Sequence, residues 1–549
     1  MFTVLGSVIC ESPEHWRKTA KDDLKAALNS KLNMNKAENV ILFIGDGMGI
    51  STLTAARIYK GQLRGKTGEE SFLNFEKFPS IALSKSKKCA NHISRSQALV
   101  GIFVTKDTVQ FFGETENTYT VDRQTPDSAG TATAIMSGVK TNSRVVGLDE
   151  SAKMKDCMSM EGAKIESILD WSHAEGKSTG LVTTARLTHA TPAAAYAHTP
   201  YRYWEGQQEL INSSPVGNCT DVAYQLIREN SFVNVLFGGG RRYFQTVNQL
   251  DPETQESNEK YGRFDMDLIK EWQDDKIRHK KNHAYVWNKL QFENIRPDRT
   301  DYVLGLFEPN HMQYEHDRNS GADGEPSLAE MTTKAIQILK KNKKGFFLMV
   351  EGGRIDHAHH KSVAKSALEE TLAFEEAVQA AIDGTEEKDT LIVVTADHSH
   401  VFNIAGYPKR GNNILGIVDP ETANLVDEKP FTTLLYGNGR GYDHGNRANL
   451  TTEITAQDGY VQVSAAPTTK ESHGGEDVGI YARGPMSHLL HGVHEQNYIA
   501  HVMAFASCVG DNKDHCRQRD STGAASPTST PSHFLLNLFL SVVFMFRCF

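Results

Sequence analysis

The sequence predicts an α/β protein with a doubly wound, mostly parallel central sheet flanked by helices, and three observations carry that prediction. Four short apolar runs, Val40–Ile44, Leu181–Thr184, Phe346–Val350 and Leu391–Thr395, are continuous rather than alternating, as expected of strands buried on both faces. Helical patterns lie between them at Ile165–His173, Ser327–Lys340 and Ser362–Ala381, and strand–helix alternation argues for one layered core. Each apolar run also leads into a polar segment: GDGMG, ARLTHATP, EGGRIDHAHH and ADHSH in turn. In such sheets ligands bind beyond the carboxyl ends of the strands, which is where these clusters fall.

Composition narrows the alternatives. A chain of 549 residues divides into three or four average domains, although one large α/β domain with an insertion fits equally well. Glycine (43) and proline (17) are too sparse and aperiodic for a collagen-like or low-complexity chain. The formal charge of −9 and the lack of a basic stripe argue against nucleic acid as a specific partner. A mean hydropathy of −0.44 excludes a polytopic membrane protein but leaves room for a single anchor. Seven cysteines are too few for a disulfide scaffold, and no internal repeat is visible.

The elements then follow in order. Residues 1–10 are apolar but short and lack a basic start, and read as the remnant of a signal segment. A helical arm occupies 11–35, with Ser12 as cap, Pro13 in the first turn, and Trp16, Ala20, Leu24 and Leu28 on one face. The principal domain spans 36–510. Within it, residues 403–472 are rich in Gly, Asn and Thr with short alternating runs (Thr432–Tyr436, Tyr460–Val463), and read as a small, partly β crown inserted over the site. A linker covers 511–533, and an apolar tail covers 534–549. Small residues around Ser521 and Gly523, a polar spacer and a terminal apolar tail form the pattern of a removable glycolipid-anchor signal. A buried terminal strand or helix is the alternative. Anchoring places the protein on the extracellular face of the cell membrane, and the sequons at Asn212, Asn218 and Asn449 are consistent with secretion.

Asp356 and His360 stand four apart, so a helix beginning there presents both on one face, a carboxylate and an imidazole suited to zinc. Asp397-His398 sits at a strand end. A histidine-rich loop is often simply solvated and an Asp-His pair can be a cap, but four such clusters at strand ends favour ions held by converging ligands. Gly45-Asp46-Gly47-Met48-Gly49 invites a dinucleotide reading, yet its spacing is G-x-G-x-G rather than G-x-G-x-x-G. Small residues that let the backbone turn so that Asp46 reaches a metal are the favoured reading. In Asp127-Ser128-Ala129-Gly130-Thr131, Ser128 is either a helix cap or a nucleophile whose anionic product rests on a helix N-terminus. With no Ser-His-Asp spacing, a metal has to activate it.

Together DSAGTATA, VEGGRIDHAHH, TADHSH, HATPAAAYAHT and SHGGEDV resemble the animal, glycolipid-anchored alkaline phosphatases, from about Ser12 through the tail. The resemblance implies two Zn²⁺, one Mg²⁺ and a structural Ca²⁺ per subunit. Ser128 matches the phosphorylated serine, and Arg202 matches the arginine that grips two phosphate oxygens. Asp356, His360 and His473 match one zinc set; Asp46, Asp397 and His398 match the other. Asp46, Thr191 and Glu351 match the magnesium site. Glu253, the Phe307 carbonyl and Glu308 match three calcium ligands, with Glu325, or alternatively Asp323, as the fourth. The implied reaction is hydrolysis of small phosphate monoesters through a phosphoserine, fastest at alkaline pH because the nucleophiles must lose protons. A homodimer gripped by the N-terminal helix is also implied, as are disulfides Cys157–Cys219 and Cys508–Cys516, which leave Cys10, Cys89 and Cys548.

One stretch departs from the pattern. Asp46 and Ser128 are 82 positions apart, about thirty more than expected, and the surplus is roughly residues 87–118. It is either a surface loop or an untranslated segment carried over from the gene. Four rival functions compete with this reading. A non-catalytic surface protein on a decayed scaffold is opposed by the complete residue set, and an oxidoreductase by the glycine spacing. A sulfatase lacks its nucleophile motif here, and a diesterase usually lacks the counterpart of Arg202.

Overall fold

The computed structural model describes residues 13–516 apart from 30, 86–118, 419–424, 446, 512 and 514. The signal remnant, Ser12, Cys10, Cys89, the insertion at 87–118, Ser521, Gly523, Cys548 and the apolar tail therefore lie outside the described residues.

Ten strands form the central sheet: β1 (Asn39–Gly45), β2 (Ser80–Lys85), β3 (Ser178–Arg186), β4 (Val235–Gly239), β5 (His283–Val286), β6 (Tyr302–Leu306), β7 (Phe346–Gly352), β8 (Thr390–Ala396), β13 (Val478–Arg483) and β14 (Gly492–Glu495). Two small pairs complete the set: β9 (Ser399–His400) with β12 (His473–Gly474), and β10 (Phe402–Ile404) with β11 (Leu434–Tyr436). The order in the large sheet is β14-β2-β13-β8-β1-β7-β3-β4-β6-β5. Only β13 runs against the rest, pairing antiparallel with both β8 and β2.

The four runs recognised in the sequence are the four adjacent central strands β8-β1-β7-β3. Their side chains alternate between two cores: Val40, Leu42 and Ile44 pack on one side, Ile41 and Phe43 on the other. This explains the continuous apolar runs, since neither face meets water. Helices Ser128–Ser137, Ile168–Ala174 and Tyr498–Ser507 cover the first side through Ile135, Ile168 and Val502. Leu328–Leu339 and Ala364–Gly384 cover the second through Met331, Phe374 and Val378.

The remaining six strands of the sheet are less legible. β5 and β14 are not fully buried and β2 and β14 lie at one edge, so their sequences carry no unbroken apolar run. The helix patterns are right in place but shifted at their ends: Ile165–His173 becomes Ile168–Ala174, with Ser167 as cap. In the segment after His400, Leu434–Tyr436 is a strand, whereas Tyr460–Val463 is not: the Tyr436 N–H donates to the Val463 carbonyl at 3.0 Å, and the next residue, Ser464, forms an isolated bridge to Tyr436. On the N-terminal helix Pro13–Asn29, Leu24 and Leu28 are 60% and 77% exposed. Among the described residues no helix is long and apolar enough to cross a membrane.

Candidate active site

Strand register builds the site. Gly45 at the end of β1 lies opposite Gly352 of β7 and Ala396 of β8, so Asp46 and Asp397 emerge side by side. Glu351, still within β7, faces Thr183 of β3, whose hydroxyl donates to it at 2.5 Å. Gly47 turns with φ +70°, a conformation that favours glycine, and its N–H donates to Asp397 Oδ1 at 3.0 Å. A Cβ there would also run into the His400 ring, so the glycine of GDGMG serves the turn rather than a dinucleotide.

Two nests of ligand atoms result. On the helix Arg354–His360, Asp356 and His360 do share a face, with His360 Nε2 3.4 Å from Asp356 Oδ1. His473 Nε2 completes the group at 3.3 Å from Asp356 Oδ1 and 3.2 Å from His360 Nε2. In the second nest His398 Nε2 lies 3.3 Å from Asp397 Oδ2 and 3.5 Å from Asp46 Oδ1. Ligands about 2.0–2.1 Å from a tetrahedral zinc stand roughly 3.3–3.4 Å from one another, so both nests have zinc spacing. Asp46 Oδ1 and Oδ2, Glu351 Oε1 and Thr191 Oγ1 are buried without hydrogen bonds. Such orphaned buried oxygens are costly unless a cation meets them. Thr191, in the short helix Ala190–Ala193, faces Glu351 without a well-formed hydrogen bond.

The electrostatics agree. Burial, reinforced by Asp397, Asp356 and Glu351, pushes Asp46 well above the ordinary carboxylate range. Burial pushes Glu351 up to about 7 against the Thr183 hydroxyl. Burial lowers His360 to about 4 and lowers His398 well below its ordinary value, leaving neutral imidazoles with lone pairs for a metal. Crowded carboxylates that resist ionising together, beside neutral histidines, are a set completed by cations.

Ser128 Oγ sits 3.2 Å from His398 Nε2, at the open corner of the second nest. The helix Ser128–Ser137 is capped by Asp127, not by Ser128, so the serine is its first residue and is free for chemistry. Asp127 Oδ2 accepts from Arg202 Nη1 at 3.0 Å, aiming the guanidinium across the same cleft. Burial would raise Asp127, but Arg202 and the Arg144 N–H hold it below the usual carboxylate range. The cleft, about 640 Å³ and open, is lined by Ser128, Arg202, Arg144, Arg186, His473 and Lys470 among others.

Sequence reasoning passed over several neighbours. Asp127 was visible as a strong cap type directly before Ser128. His400 follows His398 by two, the strand period, and each of its ring nitrogens meets a carboxylate: Asp356 Oδ1 at 2.9 Å and Glu471 Oε2 at 2.5 Å. His189 Nε2 contacts Arg202 at 3.1 Å, and nothing local in the sequence predicts that.

The residues that the resemblance matches to calcium ligands also converge. Glu253 accepts from Arg241 at 2.8 Å, Glu308 from Gln313 at 2.8 Å, and Glu325 from the Gln313 N–H at 2.8 Å. Burial and neighbouring carboxylates raise Glu308 to about 7 and Glu325 to about 8. Phe307, just before Glu308, is buried. Disulfides join Cys157 to Cys219 and Cys508 to Cys516, as the resemblance implied. Asn212, Asn218 and Asn449 are all exposed.

A doubly wound sheet whose central strand ends, with the helix of Ser128 and the loop of Arg202, bring a serine, an arginine and two nests of metal-ligand type to one cleft defines a metal-dependent hydrolase of phosphate monoesters. The sequence model of the family described as alkaline phosphatase matches residues 37–509. The chain belongs to the alkaline phosphatase family. It is 48% identical over 522 residues to the tissue-nonspecific alkaline phosphatase of Rattus norvegicus, covering 94% of this chain and 93% of that one. It is 45% identical over 509 residues to the alkaline phosphatase of Gadus morhua, covering 91% and 98%. The solved alkaline phosphatase of the Antarctic bacterium TAB5 shares the fold at TM-score 0.56 and 20% identity, covering 87% of this chain and 100% of that one.

Proposed function

We propose that the chain hydrolyses small phosphate monoesters by transient phosphorylation of Ser128, and the observation that carries this is the 3.2 Å approach of Ser128 Oγ to the His398–Asp397–Asp46 nest. Asp356, His360 and His473 would hold one Zn²⁺; Asp46, Asp397 and His398 the second; Asp46, Thr191 and Glu351 a Mg²⁺. When bound, these ions supply Lewis acidity and positive charge to the serine oxygen, the leaving oxygen and the hydrolytic water. The protein supplies the rest. Ser128 attacks phosphorus and the alcohol departs; water then cleaves the phosphoserine and restores the hydroxyl. Arg202, steered by Asp127, grips two phosphoryl oxygens with a bidentate fork. Since the open cleft offers little to the alcohol, recognition rests on the phosphoryl group.

The non-catalytic alternative has no support in this site. The catalytic unit is taken as 36–510, with the crown at 403–472. Glu253, Phe307, Glu308 and Glu325 would hold a structural Ca²⁺, supported by the mutual repulsion of the three glutamates. The exposed Leu24 and Leu28 support the N-terminal helix as a dimer arm. A glycolipid anchor at Ser521 or Gly523, glycosylation at Asn212, Asn218 and Asn449, and a place on the extracellular face of the cell membrane complete the reading, resting on the sequence pattern.

The test is metal content measured beside hydrolysis of a chromogenic phosphate monoester. Two zinc and one magnesium per chain, with activity lost on chelation and restored by zinc and magnesium, is expected. Activity indifferent to zinc removal would overturn the reading.

A further inference from the structure

Three neighbouring central strands, β1, β7 and β3, end at the site and begin on one lysine-rich face. Lys36 stands before β1, Lys177 immediately before β3, and Lys340, Lys343 and Lys344 between the helix Leu328–Leu339 and β7. Lys177 is buried and braces the three strand starts: its Nζ donates to the Glu38 carbonyl at 2.6 Å and to the Lys344 carbonyl at 3.0 Å. Lys36, Lys340, Lys343 and Lys344 are exposed. The acids interspersed with them, Glu38, Glu175, Asp389 and Asp511, are fewer, although the whole chain carries a formal charge of −9. The Lys513 hydrogen bond, then the charges of Lys36 and Lys344, hold Glu175 below the usual carboxylate range. Burial, with Lys36 beside it, lowers Lys177 to about 8.

Cys516, the last described residue, lies on this face too. The Ala37 N–H donates to the Ala506 carbonyl at 2.8 Å, which sets the end of the helix Tyr498–Ser507 beside the start of β1. Lys513 Nζ lies 2.6 Å from Glu175 Oε1, and the Cys508–Cys516 disulfide holds Cys516 to the helix end. Ser521 and Gly523 follow Cys516 by five and seven positions, a reach of at most about 25 Å. An anchor attached there keeps this face within that reach of the bilayer. β1 and β7 are each 7 residues long, so the site stands on the order of 20 Å away at their other ends.

We propose that this lysine-rich face docks on anionic phospholipid headgroups of the membrane to which the anchor ties the chain, and so holds the catalytic cleft toward solution. The proposal rests on the anchor reading above. A tether fixes distance but not orientation, whereas a basic patch adds attraction for each lysine near an anionic surface and is one of the signals that complete a lipid anchor. A chain of net negative charge is otherwise repelled by such a surface, so contact is favoured where the lysines gather.

The full-length chain is expressed in animal cells, released from them by phosphatidylinositol-specific phospholipase C, and sedimented with vesicles of phosphatidylcholine alone or mixed with phosphatidylserine. The wild type is expected to bind the mixed vesicles, to leave them as salt is raised, and to ignore phosphatidylcholine alone. The triple variant Lys36→Gln, Lys340→Gln, Lys343→Gln is expected to bind about 100-fold more weakly, about fivefold for each lysine, with turnover of a chromogenic monoester unchanged. A second triple variant, Lys153→Gln, Lys155→Gln, Lys164→Gln, alters the loop between the helices Ser128–Ser137 and Ile168–Ala174 and should bind like wild type. A wild type that does not prefer the mixed vesicles would overturn the docking face. Unchanged binding in the first variant, or an equal loss in both, overturns it as well. Retention on an immobilised sulfated polysaccharide without vesicle binding would assign the lysines to a soluble polyanion and overturn the lipid proposal. A protein that the phospholipase leaves on the cells would instead overturn the anchor reading beneath, and the proposal with it.

Discussion

Arg202 Nη1 lies 3.0 Å from Asp127 Oδ2, and that carboxylate also caps the helix that begins with Ser128. One side chain thus couples the group that grips phosphate to the element that carries the nucleophile. Asparagine caps a helix as well as aspartate but carries no charge. Asp127→Asn is therefore expected to fold normally and to raise KM for a phosphate monoester about tenfold, by loosening the aim of Arg202. Steady-state kinetics beside a melting curve checks this; an unchanged KM would show that Arg202 needs no such steering.

Ser128→Ala removes the nucleophile without touching a proposed ligand set. Zinc and magnesium content should stay at wild-type levels while turnover falls on the order of 10³-fold or more. A variant that keeps near-wild-type turnover, measured by phosphate release, would remove Ser128 from the mechanism.

The cluster of Glu253, Glu308 and Glu325 yields a pH prediction. Burial raises Glu308 to about 7 and Glu325 to about 8, above their ordinary values in the unfolded chain. The folded, calcium-free protein therefore binds more protons than the unfolded chain between about pH 4.5 and 8, and stability is lost as pH rises through that window. Calcium, which needs the ionised carboxylates, should accordingly raise Tm more at pH 8.5 than at pH 5.5. Calorimetry with and without calcium at the two pH values checks the sign, and Glu325→Gln should shrink the difference.

The two disulfides should contribute unequally. Cys157–Cys219 closes a separation of 62 residues and Cys508–Cys516 one of 8. On the chain-entropy account these are worth about 4 and about 2.5 kcal/mol. Replacing the first pair by alanine should thus lower Tm more than replacing the second, in thermal unfolding monitored by circular dichroism.

Some of this was readable from the chain as a string. The four central strands announce themselves because both their faces are buried, so each is an unbroken apolar run needing no knowledge of its neighbours. The placing of Asp356 and His360 on one helix face follows from local geometry alone, as does the G-x-G-x-G turn that brings Asp46 out of β1. The edge strand β14 and its neighbour β2 stayed hidden because their side chains face mixed surroundings that no local pattern encodes.

The order β8-β1-β7-β3 and its register were decided only in three dimensions. They set Asp46 beside Asp397 and bring His473 from 113 positions beyond His360 to 3.2 Å from it. Tertiary structure also decided that Asp127 rather than Ser128 caps its helix, and that His400 is sealed between Asp356 and Glu471. Periodicity and apolar runs are written in neighbouring residues, whereas a site is made of distances between strand ends. Those distances exist only once the sheet has chosen which strands lie side by side.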